Sequence, residues 1–269
     1  MVEIFDNIRK IYKFSSPCPE LSDYIEFFSE SSLEETNKYI ANKCFTIKMF
    51  PSWTPTIWIN LGEPYRLCLG EDRYFIRRED DILILRNSAA ERHNLPTDHI
   101  FTVKFFPGGL EAILDINQSK FINKIVDLNA VIPVQLIQRI KELNSFEERM
   151  ELLQDFFLVN YKKKKTQDYY LKFVRDTTEA YGAANMKFNN SEIAEKMFTT
   201  SKTINRYFNN IIGTTPKNYF SILKARIGLT AYVANKQLFD PSDYGYYDMS
   251  HFYKTVVKFT GQKLVDNRL

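Results

Sequence analysis

The stretch Tyr244-Gly245-Tyr246-Tyr247-Asp248-Met249-Ser250-His251-Phe252, followed by Tyr253-Lys254 and by Phe259-Thr260-Gly261, constrains this chain more than any other. It reads as a turn and a short helix. Gly245 has no Cβ and suits the left-handed backbone of a tight turn or helix end. Asp248 or Ser250 offers a side-chain oxygen to cap the helix that follows. Phe252, Val256 and Phe259 recur at i, i+4 and i+7 and make one apolar stripe. Asp248, Met249, Tyr253, Lys254 and Lys258 fall off that stripe. A short helix with one apolar face and a polar, basic outer face, entered through a glycine turn, has the shape of a recognition helix.

The same stretch resembles the second helix-turn-helix of AraC/XylS-type transcription regulators. That pattern runs Gly-Tyr-x-Asp-x-Ser-His-Phe, then a basic residue, then an apolar turn ending in glycine. Gly245, Tyr246, Asp248, Ser250, His251, Phe252, Lys254, Phe259 and Gly261 fit it in order. The resemblance extends from Tyr169 to Leu269. It implies a sequence-specific regulator that binds double-stranded DNA at a promoter or operator, with RNA polymerase as a further partner. It implies neither an enzyme nor a cofactor.

A chain of 269 residues suits two domains. A hydrophobic share of 44% is enough for real cores. No apolar run approaches the ~18 residues of a membrane span. Met1 to Lys13 mixes charged and apolar residues and lacks a signal-peptide core. Cys18, Cys44 and Cys68 are widely spaced and odd in number, which indicates neither a disulfide framework nor a CxxC zinc site. A reduced, cytoplasmic setting fits them best. Net charge is +3, but from Gln167 onward 14 basic residues face 9 acidic ones, giving +5. The remainder, with 22 basic and 24 acidic residues, carries −2. Basic charge gathers where a nucleic-acid surface would need it, though an excess of this size does not decide the matter alone.

The N-terminal half reads in three parts. After Pro17 and Pro19, Leu21 to Phe28 reads as a short helix, and Ser31 to Ile40 as a second helix or a loop. From Cys44 to Phe106 the runs Phe45–Met49, Thr56–Leu61, Tyr65–Leu69, Tyr74–Ile76, Ile82–Leu85 and Ile100–Phe105 are short, β-branched or aromatic, and divided by turn or charged residues. Such spacing suggests a barrel or a sandwich. The resemblance implies a small barrel of cupin type here. Phe105 through Leu128 is similar to the end of the sensor-type domain in one branch of that family. Helical period returns from Leu110 to Tyr161, with Leu136, Ile140 and Leu143 on one face and Met150, Leu153, Phe156 and Phe157 on another. These helices form a homodimer surface or pack on the β-rich part. The tetralysine run Lys162–Lys165, with Thr166-Gln167-Asp168, is the natural linker, a solvated hinge or a phosphate contact. The expected fold class is therefore α+β, with a barrel and flanking helices followed by an all-α part of seven helices. Its domains are 1–161 for sensing or dimerisation (β-rich 44–106, helical 110–161), a linker 162–168, and a DNA-binding part 169–269.

In that last part, Tyr169 to Tyr181 is a helix with Leu171, Val174 and Thr178 inward. Asn190 or Ser191 caps the next, which carries Ile193, Ala194 and Met197. Thr199-Thr200 turns into a helix from Ser201 to Ile211, ended by Gly213. Its outward residues are Ser201, Lys202, Asn205, Arg206 and Asn209. Arg forks onto guanine, Asn onto adenine, and Lys reaches guanine or phosphate. An ordinary solvated helix face is the bland alternative. In the second unit the corresponding candidates are Met249, Ser250, Tyr253, Lys254 and Lys258. Between the units, Thr215 caps and Pro216 starts a helix running to Ala234, suited to hold two recognition helices about one DNA turn apart. Phe239-Asp240-Pro241-Ser242-Asp243-Tyr244 departs from the apolar helix usual in the family. Pro241 fits only a first turn capped by Asp240, so the supporting helix must be short.

Enzyme signatures such as GxSxG, a Gly-rich phosphate loop and HExxH do not occur. His93 and His99 near Glu91 and Asp98 are thin evidence for a metal, and His251 reads as a packed, hydrogen-bonded histidine. Adjacent carboxylates such as Glu34-Glu35, Asp80-Asp81 and Glu147-Glu148 read as turns or solvated faces. Trp53, Trp58, Tyr65 and Arg66 line either a ligand pocket or the core, and no effector is identified. The competing reading is a β-barrel enzyme or small-molecule-binding protein whose C-terminal helices mediate assembly.

Overall fold

The computed structural model describes residues 10–40, 43–122, 124–163 and 169–261. Ten strands occupy the first half: β1 Tyr12–Ser15, β2 Ile25–Ser31, β3 Phe45–Met49, β4 Pro55–Asn60, β5 Tyr65–Leu69, β6 Asp72–Ile76, β7 Ile82–Leu85, β8 Ala90–Asn94, β9 Ile100–Phe105 and β10 Ile125–Asp127. They make two antiparallel sheets, one in the order β1-β2-β9-β4-β7-β10 and one in the order β3-β8-β5-β6. Among the described residues no strand pairing joins the sheets, so the expected closed barrel is instead a pair of open sheets.

The physical reason lies in β4 and β9, every residue of which is buried. A sheet covered on both faces loses the apolar/polar alternation of a half-wet one. Trp58, Ile84 and Ile100 turn toward Tyr65, Leu67, Ile76 and Ala90 of the smaller sheet. Ile57, Ile59, Phe101, Val103 and Phe105 turn the other way, into a core shared with the helices. The large sheet is therefore the middle layer, with the small sheet on one side and helices on the other.

Two sequence expectations fail locally. Leu21 to Phe28 is not a helix: a 3-10 turn ends at Leu21 and β2 begins at Ile25, paired to both β1 and β9. Ile25 and Phe28 satisfy a helical spacing, but pairing on both edges overrides it. β8 gave no strand signal, because Ala90-Glu91-Arg92-His93-Asn94 lacks β-branched residues. It is held between β3 and β5, with Arg92 buried against Asp98 at 2.8 and 3.0 Å and donating to the Tyr12 hydroxyl.

The helices are α1 Leu33–Ile40, α2 Gly109–Leu114, α3 Val134–Glu142, α4 Phe146–Lys163, α5 Tyr169–Ala183, α6 Asn190–Lys196, α7 Ser201–Ile211, α8 Pro216–Ala234 and α9 Met249–Thr260. These are the nine that lie within the described residues. After Tyr169 there are five of them and one 3-10 helix, Pro241–Tyr244, rather than seven helices. Proline reduces one expected helix to that single turn. Of the expected linker, Lys162 and Lys163 continue α4, and 164–168 lie outside the described residues.

The two halves meet through one continuous apolar core and a few buried polar groups. Gln118 is fully buried. It accepts from the Gly108 N–H at 2.9 Å and donates to the carbonyls of Trp53 at 3.1 Å and Ile212, just past α7, at 2.9 Å. Asn117 donates to the Asn210 carbonyl at 2.8 Å. Arg175 of α5 reaches Asp23 at 2.5 Å, and the Phe50 and Phe259 rings lie 6.1 Å apart. Buried polar groups left without partners cost ~1–3 kcal/mol each. Gln118→Leu, which strands the Gly108 N–H and two carbonyls, is expected to lower stability by about 2–4 kcal/mol in urea unfolding.

Candidate nucleic-acid interface

The first unit is built by α6 and α7. Asn189, not Asn190 or Ser191, caps α6: its side chain accepts from Ser191 and Glu192 N–H while Glu192 accepts from the Asn189 N–H, a reciprocal capping box. Thr200 caps α7 by accepting from the Thr203 N–H at 3.2 Å. Ile204, Phe208 and Ile211 are buried, and Phe208 meets the rings of Tyr219 and Phe220 edge-on. The opposite face carries Lys202, Arg206 and Asn209 in solvent.

Several candidates on α7 hold partners within the protein. The Ser201 hydroxyl donates to the Asn190 carbonyl at 3.2 Å and ties α7 to α6. Asn205 and Asn209 donate their amides back to the carbonyls of Ser201 and Asn205, at 2.9 and 2.7 Å. Arg206 lies over the Tyr207 ring, 5.0 Å from its centroid, and donates to the Tyr207 hydroxyl at 3.4 Å. Tyr207 is itself wedged edge-on between Tyr170 and Phe173 of α5, at 4.8 and 5.1 Å.

The second unit is supported by one 3-10 turn in place of a helix. Asp240 caps it, accepting from the Ser242 N–H at 2.8 Å, and Gly245 closes it at φ 73°. Stability comes from rings: Phe252 packs against Phe239 at 4.7 Å, Tyr246 at 5.3 Å and Tyr232 at 5.5 Å, while Phe239 stacks on Tyr244. Lys224 of α8 donates to the Gly245 carbonyl and lies 4.3 Å from the Tyr246 ring centroid. Burial pushes its ammonium pKa down. Asp248 caps α9 through the His251 N–H at 2.7 Å, and Gly261 ends it at φ 68°.

On α9, Ser250, Lys254 and Lys258 are exposed, whereas Met249 and Tyr253 are half-buried. The Tyr253 hydroxyl meets that of Tyr232 at 3.3 Å, and that bond raises its pKa. His251 is exposed rather than packed away; its Nδ1 accepts from the Tyr247 N–H at 3.4 Å. Two residues that sequence reading missed stand almost fully in water beside the units: Phe198 at 98% exposure, in the left-handed region at φ 51°, and Tyr247 at 91%. A bulky residue at positive φ is uncommon, and its only sequence signal is a phenylalanine inside a turn.

In the first half, His93 and His99 point to different partners, Thr46 at 2.9 Å and Glu30 at 2.8 Å. No cluster of three or more metal-ligating side chains occurs among the described residues. Between the sheets lies a cleft with about 430 Å³ of empty space, part of it open to solvent. Trp58 lines it; Trp53 belongs to the main core, Tyr65 to the core between the sheets, and Arg66 is exposed. The cleft also holds Arg86, Arg92 and Lys104, which the sequence reading did not select. No helix of the described residues is long and apolar enough to cross a membrane.

No protein-family model and no curated protein matches the chain. Among solved structures it is similar to ToxT from Vibrio cholerae, at 12% identity and a TM-score of 0.48, over 82% of this chain and 96% of that one. It is also similar to the AraC-like transcriptional activator CuxR, at 9% identity and a TM-score of 0.28, over 84% of this chain and 88% of that one.

Gly245 tests how the second unit is seated. A Cβ there would fall 2.9 Å from the Met186 carbonyl oxygen, on a backbone that L residues rarely adopt. Gly245→Ala is expected to destabilise the protein by about 1–2 kcal/mol in urea unfolding, and hydrogen exchange should quicken first in Met249–Thr260.

Proposed function

We propose that this chain is a sequence-specific DNA-binding transcription regulator of the AraC/XylS kind. The carrying observation is the pair of capped helices α7 and α9, each with a buried apolar stripe and a basic exposed face, joined by the single helix α8. Residues 169–269 bind the duplex and residues 1–161 sense a signal or mediate dimer formation. Arg206 of α7 supplies the main guanine contact, and Lys202 reaches guanine or phosphate. Lys254 and Lys258 of α9 supply phosphate contacts, and Ser250 is the exposed hydroxyl at its start. Ser201, Met249 and Tyr253 support helix packing more than they face DNA. Asn205 and Asn209 read bases only after exchanging an internal hydrogen bond for one to DNA. RNA polymerase is the expected second partner at the promoter.

The test begins with recovery of genomic fragments on the purified full chain. Arg206→Ala and Lys254→Ala are then titrated against the recovered duplex and random DNA at two salt concentrations. Arg206→Ala should lose ~1–3 kcal/mol on the recovered duplex and flatten its preference over random DNA. Lys254→Ala should weaken both duplexes alike and reduce the salt slope by about one. If no duplex binds more tightly as salt falls, the regulator reading is wrong. If only Lys254→Ala removes preference, the ranking of the two units is inverted.

A further inference from the structure

The turn that ends α6 is a helix stop of the kind that ordinarily holds glycine. The Phe198 N–H donates to the Glu195 carbonyl at 3.0 Å, and the Thr199 N–H donates to the Ala194 carbonyl at 2.9 Å. This pair of bonds closes a helix whose first residue beyond the cap, here Met197, turns left-handed. Glycine fills that place most often because it has no Cβ. In this chain Phe198 fills it, at φ 51°. That backbone is strained for a residue with a Cβ, and strain of this kind is kept where a function needs it. Phe198 is 98% exposed, so no packing within the chain offsets the strain.

The place of Phe198 in the fold points to its partner. Thr200, two residues on, caps α7, and the exposed Lys196 and Lys202 stand on either side of Phe198 in the chain. In a helix-turn-helix the N-terminal residues of the second helix meet base edges while the first helix crosses the backbone, so the turn between them lies at the mouth of the major groove. The second unit repeats the feature: Tyr247, the residue before the Asp248 cap of α9, is 91% exposed. Cations at such a place attract phosphate. An apolar ring between them suits a feature that charge and hydrogen bonds do not read, the 5-methyl group of thymine.

We propose that Phe198 is a specificity-determining residue whose ring contacts the 5-methyl group of one thymine at the edge of the site read by α7. The contact is apolar: ring and methyl group leave water together. The two backbone bonds of the turn fix Phe198 between α6 and α7, and a phenylalanine side chain has only two torsions to settle, so presenting the ring costs little freedom on binding. The first unit then prefers thymine at that position to a pyrimidine without the methyl group. The proposal rests on the regulator reading and adds to it one base preference that does not depend on Arg206.

The test uses the full chain and the duplex recovered from genomic fragments, with deoxyuridine placed at one thymidine position at a time. Each exchange removes one methyl group and keeps the base pair. Binding of the parent should weaken about fourfold at one position, the effect of one buried methyl group. Phe198→Asn removes the ring and keeps the turn, because asparagine tolerates the left-handed backbone. It should bind the unmodified duplex about fourfold more weakly, lose the deoxyuridine effect at that one position, and unfold at the same urea concentration as the parent or a higher one. Should Phe198→Asn fail to fold, Phe198→Gly gives the same readings on a residue that suits the turn better still. The proposal is overturned by parent-like binding in the variant, by the absence of any deoxyuridine effect in the parent, or by survival of every such effect in the variant. A lower urea midpoint also overturns it, since the ring would then serve the fold. A salt-dependent preference that needs Arg206 and is indifferent to Phe198 keeps the regulator reading and removes this contact; a chain that prefers no duplex loses both.

Discussion

A polar group enclosed on all sides must find its partner inside the protein, and in this chain several such partners lie across the boundary between the two halves. Gln118 is the clearest case, with its amide bonded to a loop of the sheet half and to the carbonyl just past α7. Glu26 repeats the pattern with charge, holding Lys104 of the sheet and Arg226 of α8. Separating the halves would leave these groups to water or unmet. Breaking a buried ion pair from one side costs ~3–5 kcal/mol, because the remaining charge stays behind. The apolar contacts supply most of the attraction, but the buried polar bonds fix one arrangement, since they tolerate little sliding.

The second helix-turn-helix shows another constraint at work. Pro241 removes an N–H and blocks a longer helix. The chain meets this with a capped 3-10 turn, then a glycine at φ 73°. What a supporting helix would contribute by its length comes instead from Tyr232, Phe239, Tyr244 and Tyr246 packed around Phe252. Lys224 adds a bond from α8 to the turn itself, so the long helix carries both the spacing of the units and the seat of the second one.

Much of this was legible in the sequence, for identifiable reasons. The limits of α7 and α8, the Thr215–Pro216 start, the Asp240 and Asp248 caps and the left-handed Gly245 and Gly261 all follow from local chemistry. So do the strands at Phe45, Tyr65 and Ile82, whose residues favour pleated, half-buried surfaces. What depended on distant partners was not legible. β2 looked helical because Ile25 and Phe28, three residues apart, suit one helix face and share a strand face only through the bulge at Glu26, and β8 gave no strand signal because only its neighbours make it a strand. Whether two sheets close into a barrel depends on edge pairing, which no short window contains. Lys104 left a trace, a lysine inside the run Ile100-Phe101-Thr102-Val103-Lys104-Phe105, but its partner is a bulge residue 78 positions earlier in the chain. Gln118 left none.

The surface chemistry of α7 narrows what a duplex could meet there. Its two asparagines each donate one amide N–H to a helix carbonyl one turn back. Exchanging those bonds for bonds to adenine gains only the difference between two similar hydrogen bonds, so their contribution to net affinity is small even where they add discrimination. Arg206 stands differently. Its resting partner is the face and hydroxyl of Tyr207, a contact in solvent worth ~0.5–1 kcal/mol. A bidentate guanine contact, worth ~1–3 kcal/mol of discrimination, exceeds that. Tyr207 meanwhile is fixed by Tyr170 and Phe173, so the guanidinium rests on a rigid ring. On an exposed face where asparagines are bonded inward and Lys202 offers a point charge, Arg206 is the side chain with the most to gain from a base pair.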